Sequence, residues 1–147
     1  MTTVTDSTTN DTATTSPLSA LDALAPHAHW LLRFGLGSVF LYHGLTKFPN
    51  LAGLAEMMAM PVFMIGMLAV VEVLGGALIL IGGFTKDILT RLGGLLLVPP
   101  MLGAIMMVHW GQWSFVASGT HPMGGMEFQV VLLMIAIFFV LRGNKPA

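Results

Sequence analysis

The sequence predicts an all-α membrane protein, a bundle of four transmembrane helices with both termini in the cytoplasm. Three observations carry that prediction. Of the 147 residues 55% are hydrophobic and only 9% are charged, a balance unlike that of a water-soluble domain. Four apolar stretches, each near the roughly 20 residues that cross a hydrocarbon core, follow one another with short polar breaks between them. The six lysines and arginines divide unevenly between the two sides that this hairpin arrangement creates.

The same composition sets limits on function. A net charge of −1 leaves no basic patch, so the expected partner is the lipid bilayer and no nucleic acid is expected. The chain has no cysteine, which excludes disulfides, thiolate metal sites, iron–sulfur ligation and a cysteine nucleophile within it.

Residues 1–16 are threonine-rich, with two aspartates and no basic or aromatic residue, a composition that cannot bury enough surface to order itself. They read as a disordered tail, without the basic start of a signal peptide or the arginines of a transit peptide. Ser16-Pro17 resembles a helix start, and Leu18, Leu21 and Leu24 follow at helical spacing. A tail with a short interfacial helix therefore occupies 1–26, and the membrane domain 27–147.

Helix 1 is expected over 28–46, closed by Lys47, Phe48 and Pro49. It contains Arg33, and a guanidinium at that depth costs about 3 kcal/mol on insertion scales, so it should face other helices. Arg33, Gly37, Phe40, Gly44 and Lys47 lie on one helical stripe, a packing face. A loop over 49–61 leads to helix 2 over 62–83, whose only charge is Glu72. After a polar turn at 84–87, helix 3 runs over 88–110, and Pro99-Pro100 in its middle predicts a kink. The loop 111–125 holds Trp113, His121 and Gly124-Gly125, and helix 4 runs from Met126-Glu127 to Leu141-Arg142.

Four spans place both termini and the 84–91 turn on one side. That side collects Arg33, Lys86, Arg91, Arg142 and Lys145, against Lys47 alone on the other, which by the positive-inside rule makes it cytoplasmic. Trp30 then lies at the inner interface, and Trp110 and Trp113 at the outer one.

Glu72, Gly76 and Gly83 repeat the spacing of Arg33, Gly37 and Gly44, and both glycine stripes permit close helix approach. Each buried charge needs a partner, so an Arg33–Glu72 ion pair is expected. At the outer ends His43, Lys47, His109, His121 and Glu127 gather. One reading has them capping helices and touching headgroups. The other makes His43, Lys47, His109 and Glu127 a shallow pocket that moves protons or holds a quinone headgroup. Met101, Met106, Met107, Met123 and Met126 beside the histidines would suit copper by softness. Methionine is spread through the whole apolar part, however, so packing accounts for it and no metal site is expected. Phosphate-binding glycine loops, His-x-x-x-His pairs and Ser-His-Asp sets are lacking, and the residues alone name no reaction.

Arg33 in helix 1, Gly44-Leu45-Thr46-Lys47-Phe48 at its end, Glu72-Val73-Leu74-Gly75-Gly76 in helix 2, Gly83-Phe84-Thr85 at the turn and His109 closing helix 3 resemble the DoxX family of small bacterial and archaeal membrane proteins. The resemblance covers about 29–142. It implies a multi-pass four-helix bundle in the plasma membrane and points to quinone-linked or thiol-linked redox chemistry. Two function classes follow. One is a redox membrane subunit that binds a quinone or anchors a membrane or soluble oxidoreductase. The alternative is a non-enzymatic scaffold or transport-like accessory, whose faces bind another membrane protein or a second copy of the chain.

Overall fold

An apolar chain with few charges satisfies its backbone most locally by winding into helices, and no strand occurs among the described residues. The computed structural model describes residues 18–145; the tail expected over 1–16 and the Ser16-Pro17 helix start lie outside them. A short α1 (Ser19–Leu24) and a 3-10 turn lead into α2 (His29–Lys47). After a second 3-10 turn come α3 (Leu51–Met57), α4 (Val62–Phe84), α5 (Asp87–Ala104) and α6 (Glu127–Arg142).

The four long helices fall where the apolar stretches place them, but α3 stands where a loop is expected. Its residues, Leu-Ala-Gly-Leu-Ala-Glu-Met, are mostly strong helix formers. Ala55 is buried, and α3 lies along the first turns of α4, with Leu51 reaching Gly66.

Helices α2, α4, α5 and α6 pack in chain order, each beside the next, and α2 meets α6 only slightly. Leu36, Phe40, Ile79, Leu97, Met101, Leu132, Ala136 and Phe139 form much of the shared core. The glycines of α2 and α4 sit at their mutual interface. A Cβ on Gly37 would lie 2.7 Å from Leu80, one on Gly44 2.6 Å from Val73, and one on Gly76 3.0 Å from the Gly37 carbonyl. At the far end, a Cβ on Gly83 would meet Trp30 and the Arg33 side chain.

This antiparallel register overturns the expected Arg33–Glu72 pair. Arg33 faces the C-terminal end of α4 at Gly83, whereas Glu72 lies level with the last turn of α2. Eleven residues of α4 separate those levels, about 16 Å along the helix. The expected pair assumed that the end of α2 and the start of α4 lie at a common level. In fact α3 flanks the first turns of α4, which drops the end of α2 to the level of Glu72.

Helix α5 stays helical through Pro99-Pro100 and then widens into a π turn over Ile105–His109. Two missing N–H donors loosen the ladder, and the extra residue of a π turn re-aims the side chains that follow.

Polarity is distributed inside out. Arg33, Glu72, Thr90 and His109 are buried, while Leu31, Phe34, Phe63, Met67, Ile81, Leu95, Met106, Val131 and Met134 are exposed. Val62–Phe84 and Asp87–His109 are long and apolar enough to cross a membrane. Helix α6 is shorter at 16 residues, and α2 carries Arg33 and Lys47 near its two ends.

Candidate functional site

The last turn of α2 carries Lys47, and the register just described sets Glu72 of α4 beside it. Lys47 Nζ lies 2.5 Å from Glu72 Oε2 and also donates to the His43 carbonyl at 3.0 Å. Only 16% of the lysine side chain and 7% of the glutamate are exposed. At this burial a lone charge of either sign would be costly, so each residue accounts for the other.

The pair stands in the wall of a cavity of about 580 Å³. Val39, Phe40, His43 and Lys47 of α2 line one side, and Met64, Met67, Leu68, Val71 and Glu72 of α4 the next. The double proline, Met101, Met107 and His109 face them, and Phe128, Gln129 and Leu132 of α6 complete the wall. With Met58, Met60 and Met123, seven of the chain's 12 methionines line this one space. Thioethers are apolar, polarizable and conformationally adaptable, which suits a flat ring of variable substitution.

His109 reaches the cavity from the π turn. Its Nδ1 lies 2.9 Å from the Gly124 carbonyl and its Nε2 3.0 Å from Gln129 Nε2. A carbonyl only accepts, so Nδ1 carries the proton and Nε2 accepts from the glutamine amide. Gly124 holds φ at +77°, and a side chain there would run into the Phe115 carbonyl, so glycine is required at the residue that fixes the imidazole. Gln129 Oε1 is buried without a hydrogen-bond partner.

His43, Lys47 and His109 therefore share one cavity, and Glu127 does not line it. Its Oε1 accepts from the Phe115 N–H at 2.9 Å, and its own N–H donates to the Trp113 carbonyl at 3.0 Å. Glu127 clamps the 111–125 loop onto the start of α6, and Glu72 is the carboxylate of the cavity. His121 is also outside, its Nε2 2.8 Å from the Trp110 carbonyl. Among the described residues no group of three or more His, Asp or Glu is placed to hold a metal ion.

The other end of the bundle holds Arg33 in a different way. The side chain is fully buried, and among the described residues no carboxylate forms a salt bridge with it. Its Nη1 donates to the Ile79 carbonyl at 2.6 Å and to Thr90 Oγ1 at 2.9 Å, and Nη2 to Asn144 Oδ1 at 2.7 Å. The guanidinium carbon lies 4.7 Å from the Phe139 ring centroid. Asn144 ties the knot, donating to the Gly82 carbonyl through Nδ2 and to Asp87 through its backbone N–H. The C-terminal ends of α4 and α6 converge here and turn the Ile79 and Gly143 carbonyls onto the cation.

Gln129, Thr90 and Asn144 escape a reading that follows charges. The signal for each was its uncharged polar side chain in or beside an apolar run, a group that must find a partner.

The DoxX family model matches residues 28–110. Over 118 residues the chain is 32% identical to the Bacillus subtilis (strain 168) protein named "Putative oxidoreductase CatD", an alignment covering 78% of each chain. No solved structure matches the chain significantly.

Proposed function

The chain belongs to the DoxX family, and from that premise we propose that this membrane protein is a subunit of a redox system, holding a quinone-type lipid in the cavity beside Lys47 and Glu72. The observation that carries the reading is the cavity's composition: an apolar, methionine-rich space with its ionised and hydrogen-bonding groups gathered in the wall. A volume of about 580 Å³ lies within the common range of small-ligand sites and suits a substituted ring with the first part of its tail.

Bound there, a quinone and its quinol exchange two electrons and two protons. The residues of this chain would handle the polar end. Lys47 has a third proton to donate beyond those given to Glu72 and the His43 carbonyl. Glu72 and His43 offer proton-exchanging groups near the outer water. The neutral His109 is held in orientation by Gly124 and orients Gln129 in turn. The Pro99-Pro100 segment and the α4 methionines would exclude water from the ring. Electrons would pass to or from a partner oxidoreductase, in keeping with the name of the Bacillus relative.

The same reading makes α2 and α6 membrane spans alongside α4 and α5, with both termini in the cytoplasm. The basic Arg33, Arg91 and Arg142 then gather at the inner end, and the cavity opens toward the outer one.

Extraction of isoprenoid quinone from the protein purified in mild detergent, followed by titration with decylubiquinone in lipid nanodiscs, tests the site. Wild type should retain quinone and bind the analogue. Lys47→Met combined with Glu72→Met, which removes the donor without stranding a charge or adding a new one, should weaken binding about tenfold. Equal affinity in the two proteins, or none in either, would overturn the reading.

A further inference from the structure

Glycines along the seam between α4 and α5 fall into two groups. Over one half of the seam they mark contact: a Cβ on Gly82 would lie 2.5 Å from Thr90, one on Gly93 2.8 Å from the Ile79 backbone nitrogen, and one on Gly75 would run into Leu97. There the missing side chain lets the helices touch. Gly103, one turn beyond Pro99-Pro100, is different. A Cβ there would meet nothing within 4 Å, yet the residue lines the cavity. Glycine weakens a helix relative to alanine, and no packing contact explains it at this position.

The antiparallel register locates the gap. Gly82 opposite Thr90, Ile79 opposite Gly93 and Gly75 opposite Leu97 continue to Ala69 opposite Gly103, within one turn of Met67. At about 100° per residue, Gly103 stands about 80° around α5 from the α4-facing Gly93, toward the exposed Met106 and away from the α6-facing Gly94. Met67 stands about 80° around α4 from the α5-facing Gly75, toward the exposed Leu74 and away from the α2-facing Gly76. Both residues therefore edge the side of the seam that faces out of the bundle. Met67 and Met107 line the cavity and are also exposed, so the cavity reaches the surface here.

From this geometry we infer that the seam is a lateral portal: a lipid-borne ligand enters between α4 and α5 and leaves its apolar tail in the slot between Met67 and Gly103. The inference rests on the quinone-site reading and adds to it the route of the ligand and the residue that admits its tail. Val62–Phe84 and Asp87–His109, the helical segments on either side of the slot, are the two that are long and apolar enough to cross a membrane, so hydrocarbon covers the surface onto which the portal opens. A cavity of about 580 Å³ takes a ring and the first part of a tail, and the rest of a long tail needs a way out. Glu72 lies five residues along α4 from Met67, about 8 Å, which sets the polar end of the site apart from the slot. The Met67 side chain can change rotamer as a tail passes, and Gly103 presents no side chain to block it.

The experiment uses the full-length protein in nanodiscs with decylubiquinone and with an analogue that carries a photoreactive diazirine on the decyl chain near the ring. On irradiation the analogue should label α4 around Met67 and α5 around Gly103, as read by peptide mass spectrometry. Gly103→Phe should weaken decylubiquinone binding about tenfold, because its ring fills the slot. Gly103→Ala adds a methyl in open space and should stay within about twofold of wild type. Label concentrated on the 111–125 loop or on α6, or equal affinity in Gly103→Phe and Gly103→Ala, would overturn the portal while leaving the redox-lipid site in place. Failure of the wild-type protein to bind decylubiquinone would overturn the site reading and the inference together. Should Gly103→Phe fail to fold, the position of the label on the wild-type protein decides the question.

Discussion

Helix α2 carries a cation near each end, Arg33 buried and Lys47 partly buried, and the bundle treats the two oppositely. Arg33 has no exposed surface and is wrapped by carbonyls, a hydroxyl, an amide oxygen and an aromatic ring, all uncharged. Lys47 has a carboxylate at 2.5 Å and an open cavity beside it. The guanidinium's planar fork can address several acceptors at once, which lets α4, α5 and the end of α6 close on it without a salt bridge among the described residues. The ammonium is a compact point charge that one carboxylate neutralises, and its remaining proton is left for something else. A buried charge with nearly all its hydrogen bonds made holds helices together; one with capacity to spare at the wall of a cavity is placed to bind.

The largest effect should come from breaking the Arg33 knot. Arg33→Leu leaves the Ile79 carbonyl, Thr90 and Asn144 short of their donors and should cost about 4 to 5 kcal/mol, since hydrogen bonds from a charged donor contribute about 1.5 to 3 kcal/mol each. Arg33→Lys should recover little, because an ammonium cannot span these acceptors in one plane. Denaturation in mixed micelles measures both. Near wild-type stability for Arg33→Lys would show that charge alone matters and would erase the contrast with Lys47.

Next in size is the Lys47–Glu72 pair. Lys47→Met strands a short, nearly buried carboxylate and should cost about 3 kcal/mol. Glu72→Met should cost less, because the longer lysine stem near a helix end can carry its charge out to water. The double variant should recover most of the larger loss. Strictly additive losses would mean that the two groups do not stabilise each other.

The helices were legible because apolar runs of this length have few alternatives, and the glycine stripes marked the α2–α4 contact. The partners were not, since pairing depends on register, and register depended on α3, seven residues in an expected loop. The identity of the cavity's carboxylate turned on the same point. Glu72 and Glu127 have equal chemistry, and only the fold of the outer loop, through the Phe115 N–H and a glycine at φ +77°, takes Glu127 away from the cavity. Asn144 lies just past α6, where Gly143 turns at φ +63°, and nothing in its local sequence announces a contact with α2.

The smallest effect asks whether the two ends are independent. Thr90→Val keeps the shape of the side chain and removes only the hydroxyl, which accepts from Arg33 at 2.9 Å and donates to Asn144 Oδ1 at 2.6 Å. Arg33 keeps the Ile79 carbonyl through the same nitrogen, and Asn144 keeps Arg33, so the loss should stay near 1 kcal/mol. Thr90 and His109 stand 19 residues apart on α5 and its π turn, about 28 Å, a separation at which energies ordinarily add. Decylubiquinone affinity in Thr90→Val should therefore match wild type within about twofold while the unfolding midpoint falls. A shift of threefold or more in that affinity would show that the Arg33 knot and the cavity communicate along α5, and the two ends would have to be treated as one site.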